Sequence, residues 1–186
     1  EISDSLKDDA TVVSMAAGVP LEALSKASGK PVVRIMPNMP VSVGEGMTAL
    51  AASSDVSEES VAAICTLLEA SGKVERVDEK LMDCVTAVSG SGPAYAFVFI
   101  EALADAAVRC GMSRDAAYVY AAQTVKGAAA AVLAGGKNPA ALKDAVCSPG
   151  GTTIEGVAAL EKGGFRSAVF DAVKAACEKS AAMSKR

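Results

Sequence analysis

The amino-acid sequence predicts an α/β region followed by an all-α region. Three observations carry that reading. Residues 11–15 and 31–36 are β-branched, apolar runs separated by one short helical stretch, the spacing of a strand–helix–strand unit with parallel pairing. A polar trio, Asp78-Glu79-Lys80, then marks a change in composition. From there to Arg186 helical periodicity dominates and strand signal is nearly gone.

In the first region, the strand at 11–15 runs into Ala16-Ala17-Gly18, small residues that let a backbone or a ligand approach its end closely. Pro20 suits the first turn of a helix over 20–27, which Gly29 punctuates. The strand at 31–36 leads directly into Pro37-Asn38-Met39-Pro40, a stiff non-helical loop. Ligands gather at the carboxyl ends of strands in open α/β sheets, and the same residues also suit an ordinary turn. A third strand is expected over 46–52. Ser57 caps a helix running to Ala70, Ser71-Gly72 ends it, and a last strand covers 73–77.

In the second region a short helix over 81–88 is expected to be broken by Ser89-Gly90-Ser91-Gly92-Pro93. The next helix, 94–110, confines its charges to a thin stripe, Glu101, Asp105 and Arg109, and is apolar around most of its circumference. Gly111 ends it. Ser113 caps a helix reaching Ala134, where Gly135-Gly136 stops it. Asn138 and Pro139 supply N-cap and N1 chemistry for a helix reaching Cys147. Helices over 152–162 and 166–184 follow, separated by Gly163-Gly164. This region carries more apolar helix surface than a small monomer hides, which predicts a homodimer or a higher homo-oligomer. The other way to hide that surface is against the α/β region.

Composition excludes several classes. Apolar residues make up 51% and charged residues 22%, so the chain is globular. The net charge is −4 without a clustered basic patch, which argues against a nucleic-acid partner. No apolar run reaches membrane-spanning length; the nearest is 94–100. No leader is visible, and five widely spaced cysteines without a C-x-x-C pair read as reduced thiols in a cytoplasmic protein. There is no histidine, so His-based catalysis and most zinc sites are out, and no metal is expected. Chemistry must then come from a cofactor or from positioning. The first residue is Glu1, and residues 1–9 read as the tail of a helix that began earlier; the natural protein is expected to have a further amino-terminal part.

The densest run of special-backbone and hydroxyl residues is Ser148-Pro149-Gly150-Gly151-Thr152-Thr153-Ile154. Pro149 fixes a turn, the glycines allow close approach, and the threonines open a helix. Free N–H groups and the helix dipole make such a start a site for a carboxylate or phosphate, and the hydroxyls add donors. The same residues also make a well-capped helix-to-helix turn that binds nothing. Ser89-Gly90-Ser91-Gly92-Pro93 is a second hydroxyl-and-glycine turn; it lacks the G-x-x-x-x-G-K-[ST] pattern of a P-loop.

Val85-Thr86-Ala87-Val88-Ser89-Gly90-Ser91-Gly92-Pro93-Ala94-Tyr95, Leu142-Lys143-Asp144, the run from Ser148 to Ile154, Leu160-Glu161 and Gly163-Gly164-Phe165-Arg166 resemble pyrroline-5-carboxylate reductase. Upstream, Ser14-Met15-Ala16-Ala17-Gly18-Val19 and Arg34-Ile35-Met36-Pro37-Asn38-Met39-Pro40 are similar to that family too, so the resemblance covers essentially the whole chain. It implies reduction of 1-pyrroline-5-carboxylate to L-proline with NADPH or NADH. It implies a partial Rossmann-type sheet over 1–78, the back half of a dinucleotide-binding domain, and a helical dimerisation and substrate-binding domain over 79–186. The substrate carboxylate would lie on Ser148, Gly150, Gly151, Thr152 and Thr153, with the Thr153 hydroxyl near the ring nitrogen as the catalytic group. Met15, Ala16 and Ala17 would contact the cofactor, and Pro37 and Asn38 would lie near its nicotinamide. The family opens with a strand and a G-x-G-x-x-G loop that this chain does not contain. The chain is therefore expected to begin inside the Rossmann domain, with an unpaired apolar sheet edge. The alternative is a catalytically silent helical dimer module that binds small imino-acid carboxylates.

Overall fold

The computed structural model describes residues 5–183. Four strands form one mixed sheet in the order β1 (Val12–Ser14), β2 (Val32–Met36), β3 (Gly46–Ala52), β4 (Gly72–Arg76). Helix α1 (Leu21–Ser28) crosses from β1 to β2, and α2 (Glu58–Glu69) crosses from β3 to β4; both pairs are parallel, as a helical crossover requires. The expected strand–helix–strand unit is therefore present. The central pair, β2 and β3, is antiparallel, with Met36 opposite Ala49 and Val33 opposite Ala52.

Both faces of the sheet are covered, which is why β2 is buried at every position. One face packs Val32, Met36, Ala49 and Ala51 against Leu21 of α1 and Met82. The other packs Val33, Ile35 and Leu50 against Val56 and Val61. β1 is an edge strand, and Val13 is half-exposed there. At the start of the β3–β4 pair two glycines cross closely: a Cβ on Gly72, at φ 141°, would collide with the Gly46 backbone.

The helical region follows. A 3-10 turn (Glu79–Leu81) opens into α3 (Met82–Val85), a π-helical turn (Thr86–Gly90) and then α4 (Gly92–Arg109). The Ser-Gly-Ser-Gly-Pro run therefore does not break the helix as its composition suggests. Pro93 occupies the second residue of α4, where its lack of an N–H costs nothing. The Thr86 hydroxyl donates to the Met82 carbonyl, and Ser91 N–H donates to Thr86 O at 2.8 Å, so the path widens by one residue. By length and composition alone the helical path Glu79–Arg109 is long and apolar enough to cross a membrane, while Asp83, Glu101 and Asp105 interrupt it, so no continuous apolar run of that length occurs, as expected.

α5 (Arg114–Leu133), α6 (Pro139–Val146), α7 (Thr152–Lys162) and α8 (Phe165–Met183) complete the chain. Asn138 caps α6 as expected, its side chain accepting from Ala141 N–H at 2.9 Å. Of the helical tail expected over 1–9, residues 1–4 lie outside the described residues, Ser5 is 3-10 helical, and residues 6–9 pass through a bend and a turn. Ser184, the expected end of the last helix, also lies outside them.

Contacts divide the chain into two compact units. One holds the residues up to Pro93 together with those from Asp171 onward, and the other is Ala94–Phe170. In the first, Ser180 of α8 donates to Asp83 at 2.6 Å. In the second, the buried core is Ala104, Ala117 and Ala121, flanked by Ile100, Ala107, Val108 and Met112. Alanines let α4 and α5 approach closely but bury little area each. Phe97 is 50% exposed, Tyr120 66% and Phe170 73%. Most of this unit's large apolar side chains thus remain at its surface, an amount of exposed apolar area typical of an interaction face.

Candidate functional site

The expected site residues fall in two places, one in each unit. In the sheet unit, β1 and β2 are parallel, so the residues after Ser14 and after Met36 emerge at the same edge. Met15, Ala16 and Ala17 are all exposed there, with Ala16 N–H held by the Ser14 hydroxyl at 3.3 Å. Small side chains after β1 leave space over the sheet edge. Because β3 runs antiparallel to β2, its amino end reaches this edge too.

Pro37 and Asn38 follow β2. Asn38 is partly buried, and its side chain is engaged at both ends. Its Oδ1 accepts from Met47 N–H at 2.9 Å, and its Nδ2 donates to Ser89 Oγ at 3.3 Å. Ser89 lies in the π-helical turn. The structure thus brings Asn38 together with the Ser-Gly-Ser-Gly motif, two features that are 51 residues apart in sequence.

Glu79 and Arg34 add a contact that no local pattern announced. Arg34 sits on β2, buried at 5% exposure, and its Nη1 meets Glu79 Oε1 at 3.1 Å. The same oxygen accepts from Leu21 N–H, the first residue of α1, at 2.7 Å. Pro20 cannot cap this helix with a side chain, so a carboxylate from 58 residues away does so.

In the helical unit, α6 ends at Val146 and the chain turns through Cys147, Ser148, Pro149 and Gly150. Gly150 adopts φ 67°, a left-handed conformation that suits glycine. Gly151 N–H closes the turn on Ser148 O at 3.0 Å. Gly151 is then the N-cap of α7, and no side chain caps that helix. The N–H groups of Thr152, Thr153 and Ile154 therefore face outward from the helix start without an intrahelical acceptor. Thr152 is exposed and Thr153 half-buried, and among the described residues neither hydroxyl makes a hydrogen bond. A Cβ on Gly151 would run into Ser148 Oγ, so the turn is closed tightly over the helix start.

Charge near this turn is mixed. Lys143 is held above the ordinary lysine value by its hydrogen bond to Asp144, then by that carboxylate's charge, against a smaller opposing effect of Arg166. Arg166 is itself raised by its hydrogen bond to Glu161. Glu155 in the first turn of α7 works against an anion there. The turn offers backbone donors and two free hydroxyls, a set suited to one carboxylate and a neighbouring polar atom. Among the described residues no group of His, Cys, Asp or Glu could hold a metal ion.

Residues 79–183 match the family model described as pyrroline-5-carboxylate reductase dimerisation. The chain is 49% identical over its full length to a pyrroline-5-carboxylate reductase of Escherichia coli K12 and covers 70% of that protein. It is 46% identical to one from Arabidopsis thaliana, over 99% of this chain and 67% of that protein. A solved structure of a pyrroline-5-carboxylate reductase from Coxiella burnetii superposes with a TM-score of 0.93 at 35% identity, over 100% of this chain and 70% of that one. A Plasmodium falciparum pyrroline carboxylate reductase with NADP bound superposes with a TM-score of 0.86 at 38% identity, over 92% of this chain and 70% of that one.

Proposed function

Since this chain belongs to the pyrroline-5-carboxylate reductase family, we propose that it reduces 1-pyrroline-5-carboxylate to L-proline with a hydride from NADPH or NADH, the last step of proline biosynthesis. The observation that carries the reading to particular residues is the uncapped start of α7. A cyclic imino acid has one carboxylate and one ring nitrogen. The free N–H groups after Gly151 suit the carboxylate, and the glycines keep side chains out of its way. Ser148, Gly150, Gly151, Thr152 and Thr153 are the substrate-binding residues of this proposal.

Reduction of the imine places a hydride on the imine carbon and a proton on nitrogen, so C=N becomes CH–NH. A bound reduced nicotinamide supplies the hydride. The edge after β1 and β2 fits that group: Met15, Ala16 and Ala17 are exposed and mostly small, and Pro37-Asn38 is rigid. The Thr153 hydroxyl, free of other hydrogen bonds, engages the ring nitrogen and fixes the plane of the imine, its catalytic role here. Much of the acceleration then comes from orientation, which needs no histidine.

Residues 1–78 form the back half of the dinucleotide-binding domain, and 79–186 the helical dimerisation and substrate-binding region. The apolar face of 79–109 serves association of two copies of this chain, in keeping with the exposed side chains of α4 and α5. Five free thiols accord with a cytoplasmic location.

The test is NADPH and NADH oxidation in the presence of pyrroline-5-carboxylate. It is run on this protein and on a chain lengthened at its amino end by a glycine-rich strand and loop. Thr153→Ala should lower kcat at least about tenfold, the factor for one strong hydrogen bond, with thermal stability unchanged. Inactivity of both chains with both cofactors would leave the silent-module alternative. Unchanged kinetics in Thr153→Ala would take Thr153 out of the site. A concentration-independent monomer mass in light scattering would remove the homo-oligomer.

A further inference from the structure

We propose that Asn38 is a positioning residue that does not itself touch the cofactor but sets the Ser89 hydroxyl as a hydrogen-bond donor to the carboxamide of a bound nicotinamide. The proposal rests on the reductase reading and deepens it. Its basis is the way the Asn38 side chain is spent.

The β2–β3 register pairs Met36 with Ala49. Two residues further on each strand, Asn38 lies opposite Met47. By then the β2 backbone has turned away into Pro40 and a 3-10 turn (Met39–Val43). The Met47 N–H would lose its ladder partner, and Asn38 Oδ1 takes it at 2.9 Å. The amide plane is thereby fixed, which aims Nδ2 at the π-helical turn, where it donates to Ser89 Oγ at 3.3 Å.

Ser89 receives that hydrogen bond and, among the described residues, makes no other. A hydroxyl has one proton to give. With its oxygen accepting from an amide that cannot accept in return at Nδ2, the Ser89 proton must be donated elsewhere. The side chain is half-buried and stands beside the end of β2, the edge at which Ala16 and Ala17 also emerge. A nicotinamide carboxamide oxygen is an acceptor of the right kind for this edge. The π-helical geometry belongs to the same device. It costs regular hydrogen bonding, recurs at functional sites, and sets Ser89 within reach of the strand end.

Three variants separate this from a structural role. Asn38→Asp keeps the acceptor for Met47 N–H but replaces the donor facing Ser89 with an acceptor, so the Ser89 proton turns inward. Ser89→Ala removes the proton. The double variant tests whether they act through one group. Affinity is measured by titration with NADPH, and with the matching phosphorylated ADP-ribose, which lacks the nicotinamide. Each single variant should weaken NADPH about tenfold, the worth of one hydrogen bond to a buried group, and leave the ADP-ribose compound unchanged. The double variant should be no weaker than either single one, and Ser89→Thr, which keeps the hydroxyl, should restore binding. Equal losses for both ligands, additive losses, or no loss would overturn the proposal while leaving the reductase reading intact. Failure of the unmodified protein, lengthened as above, to bind NADPH or NADH would overturn both.

Discussion

Replacing Glu79 by alanine removes one oxygen that two donors share. Arg34 Nη1 and Leu21 N–H both end on Glu79 Oε1, at 3.1 and 2.7 Å. The Arg34 side chain is only 6% exposed, so it has little water to turn to when its partner is lost. Breaking a buried ion pair by deleting one member costs about 3–5 kcal/mol. Glu79 is itself 34% exposed, which places this pair at the lower end, about 3 kcal/mol. The lost acceptor at the first turn of α1 adds about 1 kcal/mol. A total near 4 kcal/mol lowers the melting temperature by roughly 8–16 °C in a chain of this size. Arg34→Met should behave differently. It removes the buried charge with its partner's need for it, and it removes a buried Nε that has no hydrogen-bond partner. Glu79 then keeps Leu21 N–H and its water, so the cost should stay within about 1 kcal/mol. The double variant Arg34→Met, Glu79→Ala should be more stable than Glu79→Ala alone. The assay is urea unfolding at one fixed protomer concentration, because association adds to apparent stability. If Arg34→Met is as damaging as Glu79→Ala, or the double variant is no better than Glu79→Ala, the buried-charge argument is wrong.

Gly72→Ala should cost about 2–3 kcal/mol or abolish soluble protein, since its φ of 141° and the Gly46 backbone leave no place for a Cβ; Gly29→Ala, left-handed but open, should cost about 1 kcal/mol, and comparable melting temperatures would contradict this. Gly151→Ala drives a methyl into Ser148 Oγ and should raise the substrate KM about tenfold with a smaller change in stability; an unchanged KM would detach this turn from the substrate. The hydrogen bond from Arg76, then its charge, holds the exposed Glu58 carboxyl below its ordinary value. Its contribution is therefore complete above the unfolded-state value and fades as pH falls through the lowered one. Glu58→Gln should lower stability slightly at neutral and alkaline pH, leave it unchanged in acid below the lowered value, and so flatten the acid limb of a stability–pH curve. A change of equal size at all pH values would contradict that assignment.

Much of the local structure was legible because its causes are local. Asn138 and Pro139 start α6 by capping and by a preset φ, and the Gly-Gly-Thr-Thr run starts α7 at Thr152 as read. The apolar runs around Pro31 and the spacing to residues 11–15 gave the parallel crossover. Three things were not legible. The antiparallel β2–β3 pairing depends on which way a loop folds back, and a nine-residue interval between Asn38 and Met47 does not state that. The Ser-Gly-Ser-Gly run has breaker composition, yet the Thr86 hydroxyl and the Ser91 N–H keep it helical in wider form. Glu79 read as part of a polar boundary, whereas its partners lie 45 and 58 residues away. For the candidate site, the Pro-Asn-Met-Pro composition singles out Asn38 as a loop residue, but the hydrogen bonds of its amide to Met47 and Ser89 join residues too far apart in sequence to be read from it.

The bond from Ser180 to Asp83 spans 97 residues and draws the far end of α8 into the sheet unit. During synthesis that unit emerges first and is finished last. The sheet can pair as soon as β4 is made, but its closing helix is still unmade while α4 to α7 are being added. Long-range closure of this kind slows folding. It also makes the tail a clasp: shortening the chain by the turns around Ser180 should loosen the sheet at the other end of the sequence before it disturbs the helices in between.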